Sequence, residues 1–89
     1  LTVGPLDDDN RRQFKLPPGM RNGVIVENID DDSRAARSGL QLGDVILEVG
    51  RKPIAGVADF EKRYSEARNR LLLLVYRGGG TLFLVLPNK

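Results

Sequence analysis

Apolar and polar residues repeat with two different periods along the chain, and these periods predict its secondary structure. Runs of β-branched residues and leucines bounded by polar or turn residues are typical of strands. Four such runs occupy residues 24–29, 45–49, 71–77 and 81–86. Residues 1–6 predict a further short strand, which Gly4 and Pro5 interrupt because proline donates no N–H to a sheet.

One segment follows the helical period instead. Its apolar residues recur at steps of three and four, which predicts an amphipathic helix over residues 57–68; they are Val57, Phe60, Tyr64 and Ala67.

Two shorter helices are predicted between the first strands. Residues 34–38 can form one, with Asp32 or Ser33 as its N-cap and Gly39 ending it in the left-handed conformation. Residues 11–14 can form the other, because the acidic run 7–9 before them complements the positive end of a helix.

The order of these elements predicts the fold class. Glycine-rich turns at 50–53 and 78–80 link neighbouring strands as hairpins. We expect an α+β, mostly β fold: a small, partly open antiparallel barrel or sandwich of five to six strands, with two short helices and one longer helix. The length of 89 residues suits a single domain, 1–89.

Composition excludes several classes of function. The chain has no cysteine and no histidine, so thiol catalysis is excluded and the commonest general base is absent. We therefore expect no catalytic residues, no cofactor and no metal, and assign the acidic runs 7–9 and 30–32 to helix starts rather than to calcium. The net charge of +2 comes from interspersed charges, which argues against nucleic-acid partners. No apolar run approaches the length of a membrane span.

The segment 23–46 combines several features with separate physical reasons. Small Ala35 and Ala36 let a helix lie close to a sheet, and Asp44 can accept N–H bonds from the turn that begins its strand. Leu40 and Leu42 are both expected in the core. In contrast, Arg34, Arg37 and Arg51 are expected on a solvated face.

This segment resembles the PDZ domains of bacterial HtrA/Deg-type serine proteases. The similarity lies in the β-branched strand after Gly23, the A-A-x-x-G-L pattern at 35–40, the G-D-V-I turn at 43–46 and the x-x-P-I turn at 51–54. It covers nearly the whole chain and is most like the second, C-terminal PDZ domain of such proteases. The resemblance implies a permuted strand order in which the ligand-binding strand comes first.

The resemblance also implies a peptide-binding site. An extended peptide would add to the edge of the first strand, at Leu1, Thr2 and Val3, with Leu1 matching the last apolar residue of the family's carboxylate-binding loop. The long helix would supply the facing wall, where Val57 and Tyr64 offer an apolar surface and Glu61 favours a basic or hydroxyl side chain. Spacing alone leaves Val57 and Tyr64 equally open to plain core roles, and Glu61 to simple solvation.

Partners and location follow from the same resemblance. We expect a non-catalytic module, cut from a longer serine endopeptidase of the periplasm, that binds unfolded or C-terminal peptide segments. The alternative is an assembly domain that packs on the protease domain or other PDZ domains of the parent oligomer, with no free-peptide ligand.

Overall fold

Strands dominate the architecture of the chain. The computed structural model describes residues 1–67 and 69–88. Along the chain the elements are β1 (Thr2–Pro5), α1 (Asp8–Gln13), β2 (Val24–Asn28), α2 (Arg34–Arg37), β3 (Val45–Val49), β4 (Lys52–Pro53), α3 (Val57–Glu66), β5 (Leu71–Arg77) and β6 (Gly80–Leu86). The strands form one antiparallel sheet in the order β1-β2-β3-β5-β6, with β4 paired to β3. The sheet is open, with β1 and β6 at its two ends, and the predicted α+β, mostly β class is confirmed.

Side chains on the two faces of the sheet pack into two separate clusters, as the alternation along a strand requires. In β2, Val24 and Val26 join the main core with Ala35 of α2 and Phe60 of α3. Ile25, between them, points to the other face and packs with Leu6 and Val45, under the segment that follows α1. The middle strands are therefore buried on both faces, which explains their nearly continuous apolar runs.

Helix α2 begins as the sequence predicts and ends at Arg37, one residue before the predicted Ser38, which is its C-cap. The Oγ atom of Ser33 accepts a hydrogen bond from the N–H of Ala36 at 3.1 Å, so Ser33 is the N-cap. Gly39 follows the helix with a φ of 94°, the left-handed conformation that glycine adopts without strain. This helix packs against the core through Ala35, which is fully buried.

The first helix starts earlier than predicted. It spans Asp8–Gln13 instead of 11–14, because the Oδ1 atom of Asp7 accepts a hydrogen bond from the N–H of Asn10 at 2.9 Å and caps the helix there. Arg11 is buried and donates to the carbonyl of Leu6 and the carboxylate of Asp8. The acidic run therefore forms the first turn of the helix and not only its approach.

Helix α3 was predicted to reach residue 68. It ends at Glu66, because Ala67 leaves the helical conformation with φ −72° and ψ 121°. Arg68, the last residue of the predicted range, lies outside the described residues.

Two predictions about the segment 34–42 are wrong. Leu40 is in the core and 6% exposed, but Leu42 is 62% exposed, because the turn that leads to Gly43 points its side chain to solvent. Arg34 is buried instead of solvated, since its guanidinium donates to the carbonyls of Ala67, at 2.9 Å, and Asn69, at 3.0 Å.

Candidate functional site

The candidate site lies where β1 meets α3. Among the strands that the structure describes, β1 lies at one end of the sheet and pairs with β2 alone, so its other edge faces no strand. Helix α3 contacts both β1 and β3. An unpaired strand edge beside a helix is the arrangement in which an extended peptide can add as a further strand.

The register between β1 and β2 places each residue of β1 opposite a residue of β2. Val3 lies opposite Val26 and Gly4 opposite Ile25, with an irregularity in register between Thr2 and Val3. Gly4 is buried under the carboxylate of Glu27, which any side-chain carbon at that position would meet.

A polar contact also joins β1 to the first helix. The Nδ2 atom of Asn10 donates to the carbonyl of Pro5 at 2.8 Å and to Glu27 at 3.2 Å. The end of the strand is thereby tied to α1 and β2.

The start of α3 is tied to the segment before it. Gly56 occupies the N-cap position and makes no side-chain cap. The carboxylate of Asp59, in the first turn, accepts a hydrogen bond from the N–H of Ala55 at 3.1 Å and another from Arg63 Nε at 3.2 Å. These bonds hold the pKa of Asp59 below its ordinary value, and the bond from Ala55 contributes most to this lowering.

The other end of α3 is held by a residue that sequence reasoning missed. Besides its bonds to Ala67 and Asn69, Arg34 donates through Nε to the carbonyl of Pro87, after β6. One side chain thus joins the end of α3 to the end of the last strand. A single arginine at the start of a short helix carries no sequence signal for such a role, since most surface arginines look the same.

The three predicted residues of α3 differ in exposure. Val57 and Tyr64 are half-buried and pack against the main core, while Glu61 is exposed. The ring of Tyr64 stacks on that of Phe60, with 5.4 Å between centroids and 26° between planes. Tyr64 is therefore at once a core contact and part of the surface of α3.

The three predicted residues at the start of the chain also differ, with Leu1 lying just before β1. The side chain of Leu1 is only 2% exposed and packs with the main core. Thr2 is exposed and Val3 is half-buried against the core. Leu1, Val3, Val57 and Tyr64 share one apolar cluster, which brings β1 and α3 together.

Within 1–67 and 69–88, no three acidic side chains come close enough to hold a metal ion. No helix of this part of the chain is both long and apolar enough to cross a bilayer.

Comparison with known proteins relates this geometry to one family. The PDZ domain profile matches residues 6–84. A probable periplasmic serine endoprotease, DegP-like, from Rickettsia conorii is 28% identical over 97% of the chain, which covers 17% of that protein. The chain thus spans less than a fifth of this curated relative.

Solved structures show the same fold. The chain matches the HtrA-type protease AlgW with a decapeptide at a TM-score of 0.86 and 25% identity, covering 98% of this chain and 27% of that one. The HtrA3 PDZ domain bound to a phage-derived ligand, FGRWV, matches at a TM-score of 0.82 and 21% identity over 100% of this chain and 81% of that one.

Proposed function

The chain belongs to the PDZ domain family, and we propose that it is a non-catalytic module that binds extended peptides or C-termini between β1 and α3. The observation that carries this proposal is the free edge of β1, which lies at the end of the sheet and beside α3. Main-chain hydrogen bonds along such an edge give affinity without requiring one peptide sequence.

Side chains of α3 beside the β1 edge determine which peptide side chains are preferred. Val57 and Tyr64 provide an apolar wall, and the exposed carboxylate of Glu61 on the same helix attracts a basic or hydroxyl side chain. Pro5 closes β1, so the added strand pairs over only a few residues. We expect a dissociation constant on the order of micromolar, because few residues become ordered on each side.

The related structures support this choice of ligand. AlgW was solved with a decapeptide and the HtrA3 PDZ domain with a short peptide ligand. From the similarity to a probable periplasmic serine endoprotease we propose that the parent chain is a periplasmic serine endopeptidase and that this domain tethers unfolded chains.

A charge reversal on α3 tests the site. In fluorescence anisotropy titrations with a labelled basic peptide that ends in a hydrophobic residue, Glu61→Lys weakens binding by about fivefold, since an exposed charge contact contributes a fraction of a kcal/mol and its reversal doubles the effect. The same peptide with acidic side chains gains affinity for the variant.

Glu66→Lys is the matched control. Glu66 is also exposed on α3 but lies toward β3 and β4, where it lines a cavity with Lys52 and Arg63. Equal losses for Glu61→Lys and Glu66→Lys, or no binding of any peptide, argue against the proposed site.

A second function has one observation in its favour. The outer face of β6 exposes Phe83 (60%) and Val85 (48%), opposite Leu74 and Leu72 of β5. An apolar face of this kind is typical of contacts between proteins and supports assembly on neighbouring PDZ or protease domains of a parent oligomer. Size-exclusion chromatography of the parent protein decides: Phe83→Ser releases subunits if this face assembles the oligomer and leaves its size unchanged if it does not.

A further inference from the structure

A second concave surface lies on the sheet face opposite α2 and α3. A cavity of about 400 Å³ is lined by residues 14–16, 41–44 and 76–79, and we refer to it as the α1 pocket. An adjoining cavity of about 420 Å³ shares Lys15 and Leu16 with it and extends to Pro18 and Arg21. Neither cavity includes a residue of β1 or α3, so the α1 pocket is separate from the proposed peptide groove.

The pocket has apolar walls and an exposed apolar rim. Phe14, Leu16 and Tyr76 pack over the second core cluster, and the ring of Phe14 lies against Gly43, 3.5 Å from where a Cβ would stand. Leu42 borders the same cavity and is 62% exposed. A large exposed leucine next to a concave site with two aromatic rings is typical of a binding surface.

The charges around the pocket are unequal. Asp44 is its one carboxylate among the lining residues described, and it is 2% exposed. Both of its oxygens are occupied: Oδ2 accepts from the N–H of Gln41 at 2.9 Å, and Arg77 donates to Oδ1 at 2.8 Å and to Oδ2 at 2.6 Å. Asp44 therefore offers no free negative charge to a ligand.

The nearby cations are less fully balanced. In the described part of the chain Asp8 pairs with Arg11 and Asp9 with Arg12, whereas no ion pair involves Lys15 or Arg21. Lys15 and Arg21 are both exposed; Lys15 lines both cavities, and Arg21 lines the adjoining one. The surface thus combines apolar walls with two uncompensated positive charges.

We propose that the α1 pocket binds a short partner segment in which apolar side chains are flanked by acidic residues. The apolar side chains contact Phe14, Leu42 and Tyr76, and the carboxylates pair with Lys15 and Arg21. A protein segment fits better than an anionic membrane, because the site is concave and a flat bilayer surface would not reach its apolar walls.

NMR titration of the ¹⁵N-labelled domain tests this site. The probe is an acetylated and amidated pentapeptide, DLFED, which has no free terminal carboxylate, and the comparison peptide is KLFKK with the same blocked ends. DLFED shifts the amide signals of Lys15, Gly43 and Gly79, and higher salt weakens its binding because the charge contacts are exposed.

Two variants and one control complete the experiment. Leu42→Asp weakens DLFED binding by about tenfold and Lys15→Glu by about fivefold. Both positions are exposed, and unchanged thermal unfolding shows that the fold is kept. Lys52→Glu, an exposed cation outside both cavities, leaves binding unchanged.

Several outcomes overturn the proposal. They are equal shifts with KLFKK, shifts confined to β1 and α3, affinity unaffected by either variant, and binding to anionic vesicles with no binding of DLFED. If no peptide binds between β1 and α3, the inference about the α1 pocket still stands, since the two sites share no lining residue.

Discussion

Arg77, at the end of β5, donates hydrogen bonds to both carboxylate oxygens of Asp44, the residue just before β3. Its Nε lies 2.8 Å from Oδ1 and its Nη2 lies 2.6 Å from Oδ2, and Nη2 also donates to the carbonyl of Gly39. The pair ties the turn after α2 to the β5–β6 hairpin. The hydrogen bonds to Asp44 raise the pKa of Arg77 above its ordinary value, so the guanidinium stays protonated throughout the physiological range.

Removing the cation from this pair is expected to be costly. Arg77→Met leaves a buried carboxylate without its partner and lowers the free energy of unfolding by about 3 kcal/mol. Adding Asp44→Asn to it removes the unpaired charge and restores part of the loss. Urea denaturation of both single variants and the double variant measures this coupling, and strictly additive effects would contradict it.

Gly23 is required by its surroundings and not only by its conformation. Its φ is 123°, and a Cβ there would lie 2.6 Å from the backbone oxygen of Ile46. Gly23→Ala should therefore lower the free energy of unfolding by about 3 kcal/mol. Gly19→Ala is the matched control, because nothing lies within 4 Å of its Cβ position, and it should change stability by less than about 0.5 kcal/mol. If chemical denaturation gives Gly23→Ala the same free energy of unfolding as the wild type, glycine is not required at this position.

The two leucines of the 40–42 turn should respond differently to truncation. Leu40→Ala removes a buried side chain and is expected to cost about 3 kcal/mol. Leu42→Ala changes an exposed side chain and is expected to stay within about 0.5 kcal/mol. Thermal or urea unfolding of the two variants compares them directly, and equal costs would place Leu42 back in the core.

Acid should remove the contribution of Asp59 to α3. Because folding lowers the pKa of Asp59 below 3.8, its stabilisation is present above that pH and is lost as the pH falls through the lower folded value. Asp59→Asn should therefore have a lower Tm than the wild type at pH 7. The difference should shrink below about pH 3.8. Circular dichroism melts from pH 7 to pH 2.5 measure it, and a gap that stays constant or widens in acid contradicts the assignment.

The strands could be predicted from the sequence because their signal is local. Residues 45–49 and 71–77 match β3 and β5 to the residue, since β-branched residues and leucines fill strands buried on both faces. The residues of the candidate site were identified by resemblance, and the structure brings Leu1, Val3, Val57 and Tyr64 into one cluster. Their role in binding a peptide stays a prediction.

What the sequence could not supply depends on contacts between distant segments. Leu40 and Leu42 are the same residue type in one short turn, and only the path of the backbone determines which side chain is buried. Arg34 is buried because the carbonyls of Ala67 and Asn69 meet it more than thirty positions away. The α1 pocket is formed by three segments far apart in the chain, so no single sequence motif predicts it.

The most direct test of the central claim is an isotope-filtered NOE experiment on the labelled domain with a bound, unlabelled peptide that ends in a hydrophobic residue. The proposed function predicts cross-strand NOEs between the peptide backbone and Thr2 and Val3, together with side-chain NOEs to Val57 and Tyr64. A bound peptide whose NOEs all fall on other surfaces, with none to β1, would contradict it.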